Sequence, residues 1–247
     1  MPAASLKNKG LSRRSVLLAG LSALQHNFEV VLLAGIQLRH YRAAPSPFRF
    51  LRLHGNEETA RAALEQTVAQ TTGETWIVTS RTRLVQVAGG HLDPNRMFSR
   101  PGAEKSFRSN NPVWSAEQLR TALDWLDAER PKLLHALLPP PGGVLISIHN
   151  NGPGYSVATE RPISQAAFLP RPAQPHEFFL ATDPRDYEAL ARGPYNVVLQ
   201  SNAAGEDDGS LSRLCAARRI RYVNLEVAHG QLGTQKQMLH WLLTTLP

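Results

Sequence analysis

His54 and Glu57 stand three residues apart in His54-Gly55-Asn56-Glu57, directly after the β-rich run Phe48–Leu53. His149 follows the apolar run Val144–Ile148, and Glu226 follows Arg221–Leu225. In open α/β sheets ligands gather at the carboxyl ends of strands, so these groups are expected to converge although they lie far apart in the chain. Two imidazoles and one carboxylate, with a fourth position open to water, make the ligand set of a catalytic zinc site. One Zn2+ per chain is therefore expected on His54, Glu57 and His149. Hydrolysis also needs a carboxylate that takes a proton from water and returns it to the leaving amine, and Glu226 is the candidate. Plainer readings exist: Glu57 as a helix N-terminal residue favoured by the dipole, His149 as a core histidine bonded to a loop. Glu226, ending an apolar strand, resists such a reading, because an unpaired buried carboxylate is costly.

Asn95 and Arg96 sit side by side in Leu92-Asp93-Pro94-Asn95-Arg96-Met97-Phe98. A guanidinium fork matches a carboxylate through two parallel hydrogen bonds, so the pair could hold the free carboxylate of a substrate. The plainer alternative is a surface salt bridge to Glu104 or Asp93. Arg81 and Arg83, on an expected hairpin nearby, could add a second positive group near the scissile carbonyl.

Short β-rich runs alternate with longer helical ones from residue 48 onward, which predicts a single α/β domain with a mixed, mostly parallel sheet flanked by helices. Strands are expected at Phe48–Leu53, Thr75–Thr79, Leu84–Val87, Val144–Ile148, Phe178–Ala181, Asn196–Gln200 and Arg221–Leu225. Helices are expected at Glu57–Gln70, Ala116–Leu137, Asp186–Arg192, Ser210–Arg218 and Thr234–Leu246, the second opened by Ser115 with Gln118 three residues on. Phe98–Val113 and Gly152–His176 read as polar loops.

The net charge of +7 would suggest nucleic acid if it were spread over a face, and it is not. Residues 1–52 carry eight basic residues against Glu29 alone, and the rest of the chain is balanced, nineteen against nineteen. No nucleic-acid partner is expected. The single cysteine, Cys215, excludes an internal disulfide and a cysteine-built metal site. The start of the chain has the layout of an export signal: a cationic region ending in Ser12-Arg13-Arg14-Ser15, then an apolar run to Leu24. The paired arginines resemble the twin-arginine type. A basic-capped first helix of the domain is the alternative. Residues 1–44 are expected to be leader and linker, 45–247 the hydrolase domain, with the mature protein periplasmic or secreted and touching a membrane only through an uncleaved leader.

Taken in order, HGNE, DPNR, SIHNN and NLE resemble the zinc metallocarboxypeptidase superfamily, which includes the aspartoacylase and succinylglutamate desuccinylase branch. The surrounding words LHGNEETA, LDPNRMF and DDGSLS look most like a bacterial, often exported subgroup. The resemblance covers roughly residues 48–246. It implies that His54, Glu57 and His149 bind zinc, that Glu226 is the general base, and that Asn95 and Arg96 grip a terminal carboxylate. It further implies a carbonyl-polarising arginine, which Arg83 fits better than Arg81, and a tyrosine closing over the substrate, for which Tyr155 is the nearest match. The expected activity is carboxypeptidase-like hydrolysis of a small peptide. The alternatives are an N-acyl amino acid as substrate, or a non-catalytic binding protein that keeps the fold.

Overall fold

The computed structural model describes residues 28–68, 73–201 and 206–246. Its strands and helices follow in chain order as β1 (Phe28–Leu33), β2 (Ile36–Arg42), β3 (Phe48–Arg52), α1 (Glu58–Val68), β4 (Glu74–Val78), β5 (Val85–Val87) and β6 (Gly90–Leu92). Then come α2 (Arg100–Asn110), α3 (Ala116–Leu137), β7 (Val144–Asn151), α4 (Val157–Glu160), β8 (Ala166–Phe168) and β9 (Phe178–Ala181). The chain closes with α5 (Pro184–Leu190), β10 (Asn196–Leu199), α6 (Leu211–Arg218), β11 (Tyr222–Ala228) and α7 (Leu232–Thr245).

Nine strands form one mixed sheet in the order β1-β2-β4-β3-β7-β11-β9-β10-β8. Its centre, β4-β3-β7-β11, is parallel, and antiparallel pairings take over at β2 and β9. Strand residues alternate between two cores. Leu51, Trp76 and Leu145 face α2, α3 and α6, while Phe50, Ile77 and Ile146 face α1, α5 and α7. Both faces are thus covered, as a parallel centre requires, and β7 is buried along its whole length. The expected α/β class and mixed sheet are the observed ones.

The domain starts earlier than the expected boundary at 45. Phe28–Leu33 and Ile36–Arg42, read from sequence as the end of a leader and its linker, are an antiparallel hairpin laid on the edge of β4. Ala34 and Gly35 make its two-residue turn, both at positive φ, the backbone twist that joins adjacent strands without splaying them. Ile36 and Leu38 are buried, and His40 stacks on Trp76 with ring centroids 3.6 Å apart. Residues 43–47 are tied down as well, with Ala43 N–H donating to Gly73 O at 2.9 Å. The hairpin is apolar on its outer side too, with Phe28, Val30 and Leu32 exposed, which is why it reads as part of a hydrophobic leader. The Arg13-Arg14 stretch and its apolar run lie outside the described residues. Among the described residues no helix is long and apolar enough to cross a membrane.

Two further differences bear on the site. The expected loop Phe98–Val113 contains α2, which starts at Ser99 as N-cap, its hydroxyl accepting from Gly102 N–H at 3.3 Å, with Pro101 in the first turn where its missing N–H costs nothing. The expected loop Gly152–His176 carries α4 and the edge strand β8. The α3 capping box is formed as expected, Gln118 N–H donating to the Ser115 hydroxyl and Ser115 N–H to the Gln118 side chain.

Candidate metal centre

β3 delivers His54 into a tight turn that opens α1. Gly55 is required there, since a Cβ at this position would stand 2.1 Å from Ser80 O and 2.6 Å from Thr82 O. Arg52, 1% exposed, pins the same turn by donating to Gly55 O at 2.6 Å, Glu57 O at 3.1 Å and Val78 O at 3.1 Å. Strands β7 and β11 pair in parallel with His149 opposite Glu226, so both side chains arrive at one level beside that turn.

His54, Glu57 and His149 are all buried, and one donor atom from each lies within 4.8 Å of the others. His54 Nδ1 is 2.7 Å from Glu57 Oε1 and 3.2 Å from His149 Nδ1, and His149 Nδ1 is 3.1 Å from Glu57 Oε2. On its far side His54 Nε2 meets Asp93 Oδ1 at 2.9 Å. A proton on Nε2, donated to Asp93, leaves Nδ1 of the neutral ring as a lone pair aimed at a carboxylate and at a second imidazole. Such a cluster needs a cation between its members, either the extra proton that the carboxylates favour on His54 or a metal. Glu57 Oε2 adds to this: it is buried and lacks any hydrogen bond of good geometry, its approach to His149 being a charge contact only. The donor set therefore fits a divalent metal. Burial alone would raise the Glu57 carboxyl, but the charges of and hydrogen bonds from His149 and His54 hold it well below the usual carboxylate range. Asp93 behaves alike, burial being outweighed by His54, Arg83 and the Asn95 N–H. For His54, burial would favour the neutral ring, and the Asp93 and Glu57 carboxylates more than reverse it.

Glu226 is the counter-case. It is 5% exposed and faces the same cavity, where burial, helped by the charge of Glu57, pushes its carboxyl up to about 7. His149 and two asparagines pull the other way, Asn151 donating to Oε2 at 3.1 Å and Asn224 to Oε1 at 2.9 Å.

These groups line a cavity of about 370 Å3, and Arg83, Asn95, Arg96 and Tyr155, also singled out in the sequence, border it as well. Arg83, half exposed, bonds Asp93 Oδ2 through Nε at 3.1 Å and comes within 3.9 Å of Glu57. Arg81 instead borders a separate small groove with Arg39 and Arg61. Asn95 uses its side-chain oxygen to accept from Leu211 N–H at 3.0 Å, tying the turn Pro94–Arg96 to the start of α6. Arg96 lies 3.4 Å from Asp208, its ion-pair partner here in place of Glu104 or Asp93. Tyr155 packs on Phe178 with centroids 5.8 Å apart. A larger groove of about 720 Å3 runs between α3 and Pro139–Pro141, away from these residues.

Sequence reasoning missed five members of the site. Asp93 was visible as a motif letter but not as the partner of His54, because only the β5–β6 hairpin swings it there. Asn151 and Asn224 lie two residues from His149 and Glu226 on the same strands, so the two-residue period of a strand already placed them on one face. Asp208 comes from a loop and Glu160 from the end of the short helix α4, neither with such a period.

No family model matches the chain, and no curated protein matches it in sequence. Solved structures do. A candidate metallopeptidase from Shewanella baltica OS155 aligns at 14% identity and a TM-score of 0.42, over 89% of this chain and 87% of its own. The ectoine utilization protein EutE (DoeB) from Ruegeria pomeroyi aligns at 18% identity and 0.42, over 85% of this chain and 60% of its own. A succinylglutamate desuccinylase/aspartoacylase from Rhodobacter sphaeroides aligns at 15% and 0.41, over 85% and 58%. The chain thus spans less than two thirds of the length of the latter two. These are distant likenesses, and the chemistry of the site rests on its own geometry.

Proposed function

We propose that the protein is a zinc-dependent amide hydrolase acting on a small substrate with a free carboxylate, carboxypeptidase-like in its simplest form. The observation that carries this reading is the convergence of His54, Glu57 and His149 at 4.8 Å or less beside a buried carboxylate, Glu226, that none of them neutralises by direct bonding. When bound by the three ligands, zinc supplies Lewis acidity toward a carbonyl and lowers the pKa of water. The protein does the rest. Glu226, with a carboxyl near neutrality, is matched to take a proton from water and to hand it to the departing amine. Asn151 and Asn224 hold both of its oxygens, so the proton moves along a fixed direction. Arg83 presents a half-exposed positive charge beside the ligand cluster, suited to a developing oxyanion. Arg96 receives the substrate carboxylate by exchanging it for Asp208. Tyr155 forms a side wall. An N-acyl amino acid satisfies the same requirements as a short peptide, and the small cavity suits either.

The test joins two measurements. Purified protein is assayed for zinc, with about one ion per chain expected and none in His149→Ala. The loaded protein is then screened for release of free amino acids from short peptides and N-acyl amino acids. A chain that binds no metal, or a loaded chain that releases nothing from either class, would falsify the proposal.

A further inference from the structure

Two carboxylates of the cavity, Glu226 and Glu160, make no ion pair among the described residues, and of these Glu226 is the proposed base. Arg83 is committed to Asp93 and Arg96 to Asp208. Glu57 belongs to the ligand cluster, and Glu226 is held by two asparagines. Glu160, the last residue of α4, also lines the cavity and makes no ion pair among the described residues. Its carboxylate accepts from the Gln200 amide, a neutral donor that is itself 2% exposed, so it is held in place without a counter-ion. The same cavity has apolar lining from the Tyr155 ring, Leu180 and Tyr222.

Apolar lining and an unmatched carboxylate in one cavity complement a particular kind of side chain. Long aliphatic stems that end in a positive charge cover apolar surface with the stem and need an anion at the tip. A guanidinium can also stack on a tyrosine face. Resting on the hydrolase reading, we infer that the cavity selects substrates whose side chain is such a stem, as in arginine or lysine, and that Glu160 is the residue that reads the charge. An uncharged side chain in the same position would seal Glu160 away from water with no counter-ion, and that cost is what discriminates. The substrate carboxylate meets Arg96 while its side-chain cation meets Glu160, so recognition uses both charges of one amino-acid unit.

The experiment uses the zinc-loaded full chain and six compounds: the N-acetyl and hippuryl derivatives of L-arginine, L-norleucine and L-glutamate. Amino-acid release gives kcat/KM for each. Arginine compounds should exceed norleucine compounds by roughly ten- to a hundredfold, the usual worth of a charge-assisted pair. Glu160→Gln should lose most of that ratio, and Glu160→Lys should turn the preference toward glutamate. Equal rates for arginine and norleucine in the unmodified protein overturn the inference while leaving the hydrolase reading standing. So does an arginine preference that survives both substitutions, since Glu160 then only ties α4 to β10 through Gln200. Turnover of none of the six overturns both. Zinc content and melting temperature are followed in the variants. If these show that the variants misfold, calorimetry of free L-arginine against L-norleucine on the unmodified protein decides, equal affinities refuting the inference.

Discussion

Glu226 and Asp93 are both buried carboxyls within one site, yet they are pushed in opposite directions. Glu226 has only amide donors for partners and stays hard to ionise, whereas Asp93 faces an imidazole and a guanidinium and stays charged. Replacing Glu226 by Gln keeps size and most hydrogen bonding, so metal should remain bound while turnover falls by roughly a hundredfold to ten-thousandfold. The same residue sets a pH dependence in metal-free protein. Its folded pKa lies above the unfolded value of 4.5, so its contribution to stability is full below that value and is lost as pH rises through about 7. Melting curves of metal-free wild type and Glu226→Gln should therefore differ most in slope between those two limits, and parallel curves would remove the shift. Asp93→Asn acts differently: it weakens the hold on the His54 ring, and zinc affinity measured by competition with a chelator should drop about ten- to a hundredfold. At this scale the sequence was readable where a reactive residue stood near the carboxyl end of a strand: His54 lies two residues past β3, while β7 and β11 run two residues beyond His149 and Glu226 rather than stopping before them. It was not readable for Asp93 or Asp208, whose partners are chosen by a hairpin and a loop rather than by neighbouring letters.

The elements were legible in proportion to how far they follow a single period. α3 and β9 match their expected limits, since both carry clean patterns with clear end signals. α2 hid behind Arg100-Pro101-Gly102, which resembles a turn although proline is at home in a first helical turn. The β1–β2 hairpin hid behind its own hydrophobicity, because exposed Phe28, Val30 and Leu32 make a second apolar stretch soon after the one that ends at Leu24. The hairpin makes a direct prediction about where the domain can be cut. A chain beginning at residue 45 loses buried Ile36, Leu38 and Tyr41 and bares the edge of β4. Each such side chain is worth about 1.5–3 kcal/mol, against a typical domain stability of about 5–15 kcal/mol. Side by side in urea titrations, the chain starting at 28 should unfold at a distinctly higher midpoint than the one starting at 45. Equal midpoints would make the hairpin an ornament.

For the molecule as a whole, the proposed metal would link the turn after β3, which carries His54 and Glu57, to the neighbouring strand β7, which carries His149. Zinc at a thousand times its dissociation constant should add about 4 kcal/mol of stability, which for a chain of this size raises the melting temperature by roughly 8–16 °C. A chelator should undo the rise, and His149→Ala should show none. The strand order carries a further consequence, for how the protein is made. β11 is the last strand among the described residues, yet it lies in the middle of the sheet, with β7 on one side and β9 on the other. Until it leaves the ribosome, β1-β2-β4-β3-β7 and β9-β10-β8 have no ladder between them and remain two separate half-sheets. The ligands His54, Glu57 and His149 are all in the first half and can gather early, whereas Glu226 travels on the strand that closes the gap. On the proposed reading, the metal-binding group can thus form before the chain holds its base, which arrives with the strand that completes the sheet.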